Sequence, residues 1–309
     1  MFSPIVFFAY KRPFHTFHSL NALSKNIESK NTDLIAYIDG PSNVKELHLI
    51  DSVENIINSF RQNFKSLTIH RSDINNGLAK NISDGITNTL KTYENVITLE
   101  DDICVSSSFL KYMNFALKKY QNNHEVWHIN AFNLPIDSDV NKEYVFLRIM
   151  FCWGWATWRD RWFSFINDNL ARDPYYLSFV FNKEMRGNLD LGLRFSPFWS
   201  QVEQNKKNKI TWAIFWYCHI FMKKGLCLTP SISFVNNIGL DGSGVNCGSN
   251  NVSFQNKLNN KFNSNLPDYI NEDEETIRKI KDFYKKNKIN IFRKTIRKLK
   301  KIVKLLIVN

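Results

Sequence analysis

The chain begins with a short apolar run, PIVFFAY over residues 4–10, of the kind that forms a strand buried on both faces of a parallel sheet. Lys11, Arg12 and Pro13 end it. Over 15–29 the apolar positions Phe17, Leu20, Leu23 and Ile27 recur at helical spacing. A second buried run, LIAYI over 34–38, is closed by Asp39, Gly40 and Pro41. The spacing then predicts a helix over 45–63, with Leu49, Val53, Ile56, Ile57 and Phe60 on one face. A third strand over 67–70, a turn at Asn75-Asn76-Gly77 and a helix over 78–90 follow. The fourth strand, 96–99, runs straight into Glu100-Asp101-Asp102.

Strand and helix alternate throughout this part of the chain, which predicts an α/β fold: an open, mostly parallel sheet with right-handed crossovers. In such sheets ligands bind beyond the carboxyl ends of the strands. Lys11, Arg12, Asp39 and the acidic triplet all sit at those ends, so they are expected to converge on one crevice.

From Trp127 to Asp268 the pattern is less regular and includes a glycine-rich stretch, 239–248. It reads as the second half of the same domain, so residues 1–270 are expected to form one unit. Residues 271–309 read as a basic amphipathic helical tail, in which Ile289, Phe292, Ile296, Leu299, Val303 and Leu306 form one apolar stripe. From Arg278 to Lys304 there are thirteen Lys or Arg and one acid, Asp282, so this stretch alone carries a charge equal to the whole net +12. The main body is close to neutral and lacks the electrostatic footprint of a nucleic-acid-binding domain. A basic amphipathic helix suits an anionic membrane surface, which makes residues 278–309 the candidate membrane contact.

The five cysteines are widely spaced without a CxxC pair, which points to reduced thiols rather than a disulfide framework or a zinc site. With no cationic leader and no apolar run near ~20 residues, a cytoplasmic protein is expected, peripheral on the inner face of the plasma membrane if the tail binds there. The seven histidines show no HExxH spacing, and neither GxGxxG nor GxxxxGK[ST] occurs.

Three consecutive acids at a strand end repel one another unless a cation or positive side chains compensate. Mg²⁺ and Mn²⁺ favour carboxylate oxygens and commonly combine one or two of them with substrate phosphates. The triplet is therefore a candidate metal–diphosphate site, the alternative being a solvated acidic turn.

The ordered set PIVFFAYKRP, AYIDGP, NNGLAKNISDGI, ITLEDD, CWGWATWRDRW and NNIGLDGSGVNCG resembles bacterial family-2-like sugar transferases and, more distantly, the N-acetylglucosaminyltransferase I family. The resemblance covers residues 3–250. It implies a GT-A (Rossmann-like) fold, a nucleotide-sugar donor and a divalent metal, Mn²⁺ or Mg²⁺. By the same resemblance Asp102 is the metal ligand, Arg12 contacts the donor nucleotide or its phosphates, Asp39 reads the nucleobase, and Glu100 and Asp101 lie near the ribose and donor sugar.

Two further segments carry candidates. Trp155, Trp158 and Trp162 have the spacing of one helix face, which suits core packing of Trp158 and Trp162. Trp153 and Trp155 flank Gly154, where backbone can approach a ligand, and are candidate donor contacts. Asp241 opens a polar loop that could close over phosphates, and the resemblance places Asn246 at a metal- or diphosphate-contacting position that relatives fill with histidine. An inverting transfer needs a base. The stretch 211–216, where the resemblance puts one, contains no acid, which leaves Asp241, Asp160 and Glu203 as candidates. The expected activity is transfer of a hexosyl or N-acetylhexosaminyl group from a UDP-sugar to a glycan or lipid-linked acceptor, as in bacterial surface polysaccharide or glycolipid synthesis. The alternatives are a nucleotidyltransferase, whose glycine-rich triphosphate loop is missing after the first strand, and a non-catalytic carbohydrate-binding protein of the same fold.

Overall fold

The computed structural model describes residues 2–137, 142–207, 211–241, 254 and 257–287. Its first half follows the apolar pattern closely. Strands β1 (Ile5–Ala9), β2 (Asp33–Ile38), β3 (Ser66–Arg71) and β4 (Asn95–Glu100) alternate with helices α1 (Pro13–Leu23), α2 (Leu47–Ser59) and α3 (Leu78–Leu90). Two predicted helices are shorter than their apolar spacing suggests. The first starts at Pro13, whose fixed φ and missing N–H suit the first helical position, and stops at Leu23 before a separate 3-10 turn. The second is trimmed by 3-10 turns at either end.

The chain continues through β5 (Ile103–Val105), α4 (Phe109–Lys119), β6 (Val126–Asn130), β7 (Tyr144–Leu147), β8 (Trp155–Trp158) and α5 (Arg159–Ile166). Short helices α6 (Pro174–Val180), α7 (Lys183–Leu189) and α8 (Trp199–Asn205) precede α9 (Ala213–Met222), β9 (Leu226–Pro230) and β10 (Val235–Asn237). Eight strands form one sheet in the order β3-β2-β1-β4-β8-β6-β9-β7, and β5 pairs with β10 in a separate ribbon. The pairings β3–β2, β2–β1, β1–β4 and β6–β9 are parallel, while β8 and β7 run against their neighbours. This is the mostly parallel, Rossmann-like sheet that the alternation of strand and helix predicts.

The tryptophan segment departs from its helical spacing. Trp155 and Trp158 lie on β8, which is hydrogen-bonded between β4 and β6, and the helix starts only at Arg159. Three residues apart on a strand, the two rings point to opposite faces of the sheet. Trp158 donates from Nε1 to the Leu117 carbonyl of α4 (3.1 Å), whereas Trp155 packs with Trp162, which donates to Thr87 of α3 (2.9 Å). Sheet pairing on both sides overrides the local period.

No break in packing falls at residue 270. Glu272 bridges to Phe146 on the edge strand β7, and its carboxylate accepts from the Arg148 backbone N–H (2.9 Å) and from Arg148 Nε (2.6 Å). Residues 274–287 are helical, and Ile280 is fully buried against the main core. Covering β7 in this way satisfies polar groups that an exposed sheet edge would leave open. The apolar stripe from Ile289 onward lies outside the described residues. No helix among the described residues is long and apolar enough to cross a membrane.

Candidate active site

The strand order reverses beside β1: β2 and β3 lie on one side of it and β4 on the other. Crevices at such a switch point, outside the carboxyl ends of the strands, are where open α/β sheets bind ligands. Here the two ends contribute Tyr10, Lys11 and Arg12 after β1, and Glu100, Asp101 and Asp102 at the end of β4.

Arg12 reaches across the crevice. Its Nη2 bonds Asp101 Oδ1, and its Nη1 lies 3.1 Å from Asp102 Oδ2. The Tyr10 backbone N–H also donates to Asp101 Oδ2 (3.4 Å). Helix α1 is bolted to this turn, because Ser19 Oγ donates to the Asp101 carbonyl (2.8 Å) and Thr16 Oγ1 to the Arg12 carbonyl (2.9 Å). Burial pushes the Asp101 carboxyl above its usual range, and Arg12 opposes the shift. Burial raises Glu100 as well, reinforced by the charges of Asp102 and Asp101.

The β5–β10 ribbon brings a distant segment to the same place. The Ile238 N–H donates to the Asp102 carbonyl (2.9 Å), and a 3-10 turn, Gly239–Asp241, follows. Gly239 backs directly onto Asp102: a Cβ there would lie 2.2 Å from Asp102 Oδ2. Two residues on, Asp241 Oδ2 lies 3.2 Å from Nε2 of His15, on the first turn of α1. The Asp241 side chain is 50% exposed and that of His15 8%. Sequence reasoning passed over His15, since a lone histidine gives no motif; its position three residues after Arg12 on a predicted helix is the only signal it offered.

Asp39 is at the crevice but already engaged. It is buried, and its carboxylate accepts the backbone N–H groups of Gly40 (3.0 Å), Asn76 (2.8 Å) and Gly77 (3.0 Å). It clamps the end of β2 to the loop entering α3. Gly40 permits that close approach, since a Cβ there would lie 2.4 Å from backbone atoms of Ile74.

The remaining candidates separate. Trp153 precedes β8, whose Trp155 pairs with Thr98 near the acidic end of β4, and its half-buried ring packs against Phe132 at 4.5 Å. Gly154 adopts φ +65°, where a side chain would be strained and would meet Val235. Trp155 is corrected from a candidate donor contact to a core residue. It is 1% exposed and stacks between His128 (4.9 Å) and Trp212 (5.4 Å).

Asp160 is corrected as well. It follows Trp158, which pairs with Asn95 at the start of β4, so it lies at the opposite pole of the sheet, held by Arg161 (2.8 Å). Glu203 sits on α8, bonded to Lys206 (3.0 Å) and Trp199 (3.1 Å), and α8 packs on α6 and α9 rather than on the crevice. Asn246 lies outside the described residues.

The metal implied by the resemblance is tested by the same geometry. Among the described residues no three His, Cys, Asp or Glu side chains are grouped to hold a metal ion. The Asp102 carboxylate is shared with Arg12 and backed by Gly239. These residues as placed do not form a metal site by themselves.

No family model and no curated protein matches the chain. Solved structures do match in part. TarS of S. aureus is 14% identical over 46% of this chain and 24% of its own length, with a TM-score of 0.34. Mouse xyloside xylosyltransferase 1, in its apo form, is 10% identical over 74% of this chain and 84% of its own, with a TM-score of 0.37. A UDP-glucose pyrophosphorylase complexed with UDP-glucose is 14% identical over 54% of this chain and 80% of its own, with a TM-score of 0.32. The chain thus spans about a quarter of the length of TarS, and overlaps of this size leave the functional reading to the residues themselves.

Proposed function

We propose that the chain is a glycosyltransferase that moves a hexosyl or N-acetylhexosaminyl group from a nucleotide-diphosphate donor, with UDP as the nucleotide, to a hydroxyl of a glycan or lipid-linked acceptor. The observation that carries this reading is the placement of Arg12 and the buried Asp101–Asp102 pair at the switch point between β1 and β4. Arg12 supplies a positive charge where a diphosphate leaving group would gain negative charge. Trp153 offers an apolar ring beside the acidic end of β4 for a sugar face. Of the three carboxylates nominated as a base, Asp241 alone is at the crevice, half-exposed and oriented by His15. Inversion is the outcome that the resemblance to inverting families favours.

The test is a thermal-shift screen with nucleoside diphosphates, followed by a release assay on a panel of nucleotide-sugars. UDP is expected to raise the melting temperature, and Arg12→Ala to abolish that rise. Lack of any nucleotide shift together with lack of release from every donor refutes the reading. Pyrophosphate formation from a nucleoside triphosphate and a sugar 1-phosphate would replace it with nucleotidyl transfer. We also propose that the basic tail holds the protein at an anionic membrane surface, close to a lipid-linked acceptor. A chain ending at residue 287 should lose co-sedimentation with anionic liposomes, and unchanged binding removes this part.

A further inference from the structure

We propose that Arg12 is a built-in counter-cation that competes with divalent metal for Asp101 and Asp102. The inference goes beyond the glycosyltransferase reading and does not depend on which donor is used. It starts from a mismatch. Three consecutive acids are the composition of a metal site, yet the described residues hold no grouped metal-ligand set, and the cation in contact with two of the acids belongs to the chain itself.

The geometry leaves little room for both cations. The guanidinium uses Nη2 on Asp101 and Nη1 on Asp102, bridging the two carboxylates as a planar fork. The Asp101 side chain is 4% exposed and that of Asp102 9%, while Arg12 covers them at 20%. Gly239 packs against Asp102 Oδ2, the same oxygen that faces Arg12 Nη1, so that oxygen is covered from two directions. Mg²⁺ sheds its water reluctantly, and a small hydrated cation needs open carboxylate oxygens to begin binding.

Arg12 cannot drift away as a whole residue. Its carbonyl is held by Thr16 Oγ1 (2.9 Å) and by the Thr16 N–H (3.0 Å), and Pro13 fixes the start of α1 behind it. Only the side chain is free to swing. Metal entry therefore requires the guanidinium to leave the acid pair, and loss of the guanidinium should open that pair to metal.

The test uses the full chain and Mn²⁺ alone as the probe, with free Mn²⁺ followed by electron paramagnetic resonance and stability by thermal melting. Arg12→Gln is expected to bind Mn²⁺ about tenfold or more tightly than the wild type, and to regain melting temperature on adding Mn²⁺. Arg12→Lys keeps the charge but loses the fork that spans both acids, and should fall between the wild type and Arg12→Gln. Arg12→Gln/Asp102→Asn should lose the gain, which places the new site on these acids. The proposal is overturned if Arg12→Gln binds Mn²⁺ no more tightly than the wild type, or if the gain survives in the double variant. Should Arg12→Gln fail to fold without metal, folding on Mn²⁺ addition supports the proposal and no recovery overturns it. A wild type that Mn²⁺ alone stabilises as strongly as it does Arg12→Gln also overturns it. Failure of nucleotide binding would refute the donor-site reading and leave these metal measurements unaffected.

Discussion

Replacing Gly239 with alanine should disrupt the crevice through a single methyl group. The added Cβ would lie 2.2 Å from Asp102 Oδ2, 2.9 Å from its Cγ and 3.0 Å from its Cβ. Ordinary contact begins near 3.4 Å, so one partner must yield by about 1 Å. Asp102 is poorly placed to do so. Its carboxylate is bonded to Arg12 (3.1 Å) and its carbonyl to the Ile238 N–H (2.9 Å). The Gly239–Asp241 turn must move instead, carrying Asp241 away from His15. Overpacking of this kind costs ~1–3 kcal/mol. For a chain of this size that lowers the melting temperature by roughly 2–6 °C. Differential scanning fluorimetry reads the shift, with Gly187→Ala as the control. Gly187 lies within α7 with nothing within 4 Å of its added Cβ, so alanine there should be neutral or stabilising by ~0.5–1 kcal/mol. A Gly239→Ala protein that melts within about 1 °C of the wild type, well under the overpacking cost, would refute the close packing on which the site is built.

Three other outcomes follow from the same contacts. Asp39→Ala strands the Asn76 and Gly77 N–H groups and should cost ~1–3 kcal/mol in urea unfolding, with Asp39→Asn costing less; equal stability of all three proteins would count against the clamp. His128 is buried, accepts from Trp216 Nε1 at Nδ1 (3.2 Å) and faces the Phe151 carbonyl with Nε2 (3.1 Å), and burial pushes its pKa down to about 3. The unfolded chain takes up that proton near pH 6.5 and the folded chain does not. Stability should therefore fall as pH drops from about 6.5 toward 3, by up to ~1.4 kcal/mol per pH unit, and His128→Gln should flatten that limb in pH-dependent melts. A chain ending at residue 270 loses the Arg148–Glu272 pairing and the buried Ile280, and should lose its cooperative melt, whereas one ending at 287 should melt as the full chain does.

Much of this fold is legible in the sequence because its signals are local. The runs that became β1, β2 and β4 are short, apolar and bounded by polar or proline residues, and α3 spans the predicted 78–90. The acidic triplet is contiguous, so its place at the end of β4 follows once the strand is recognised. The strands fix which residues stand at the carboxyl edge, because chain direction in a parallel sheet leaves no choice. Partners from distant sequence are another matter. Trp155 has helical spacing yet lies in a strand, because β4 and β6 supply hydrogen bonds on both sides. Asp39, which the resemblance makes a nucleobase reader, also holds three backbone N–H groups, two of them from residues 76 and 77, a role that no local pattern announces. His15 and Asp241 carry no shared pattern, and only the β5–β10 ribbon brings them together. Asp160, by contrast, has the right chemistry at the wrong pole of the sheet. The sequence alone determined the first four strands and which acids end the fourth, since periodicity and chain direction are encoded within a few residues. Tertiary structure decided that Arg12, and not solvent, faces those acids, because that contact is made only when the ends of β1 and β4 are brought side by side.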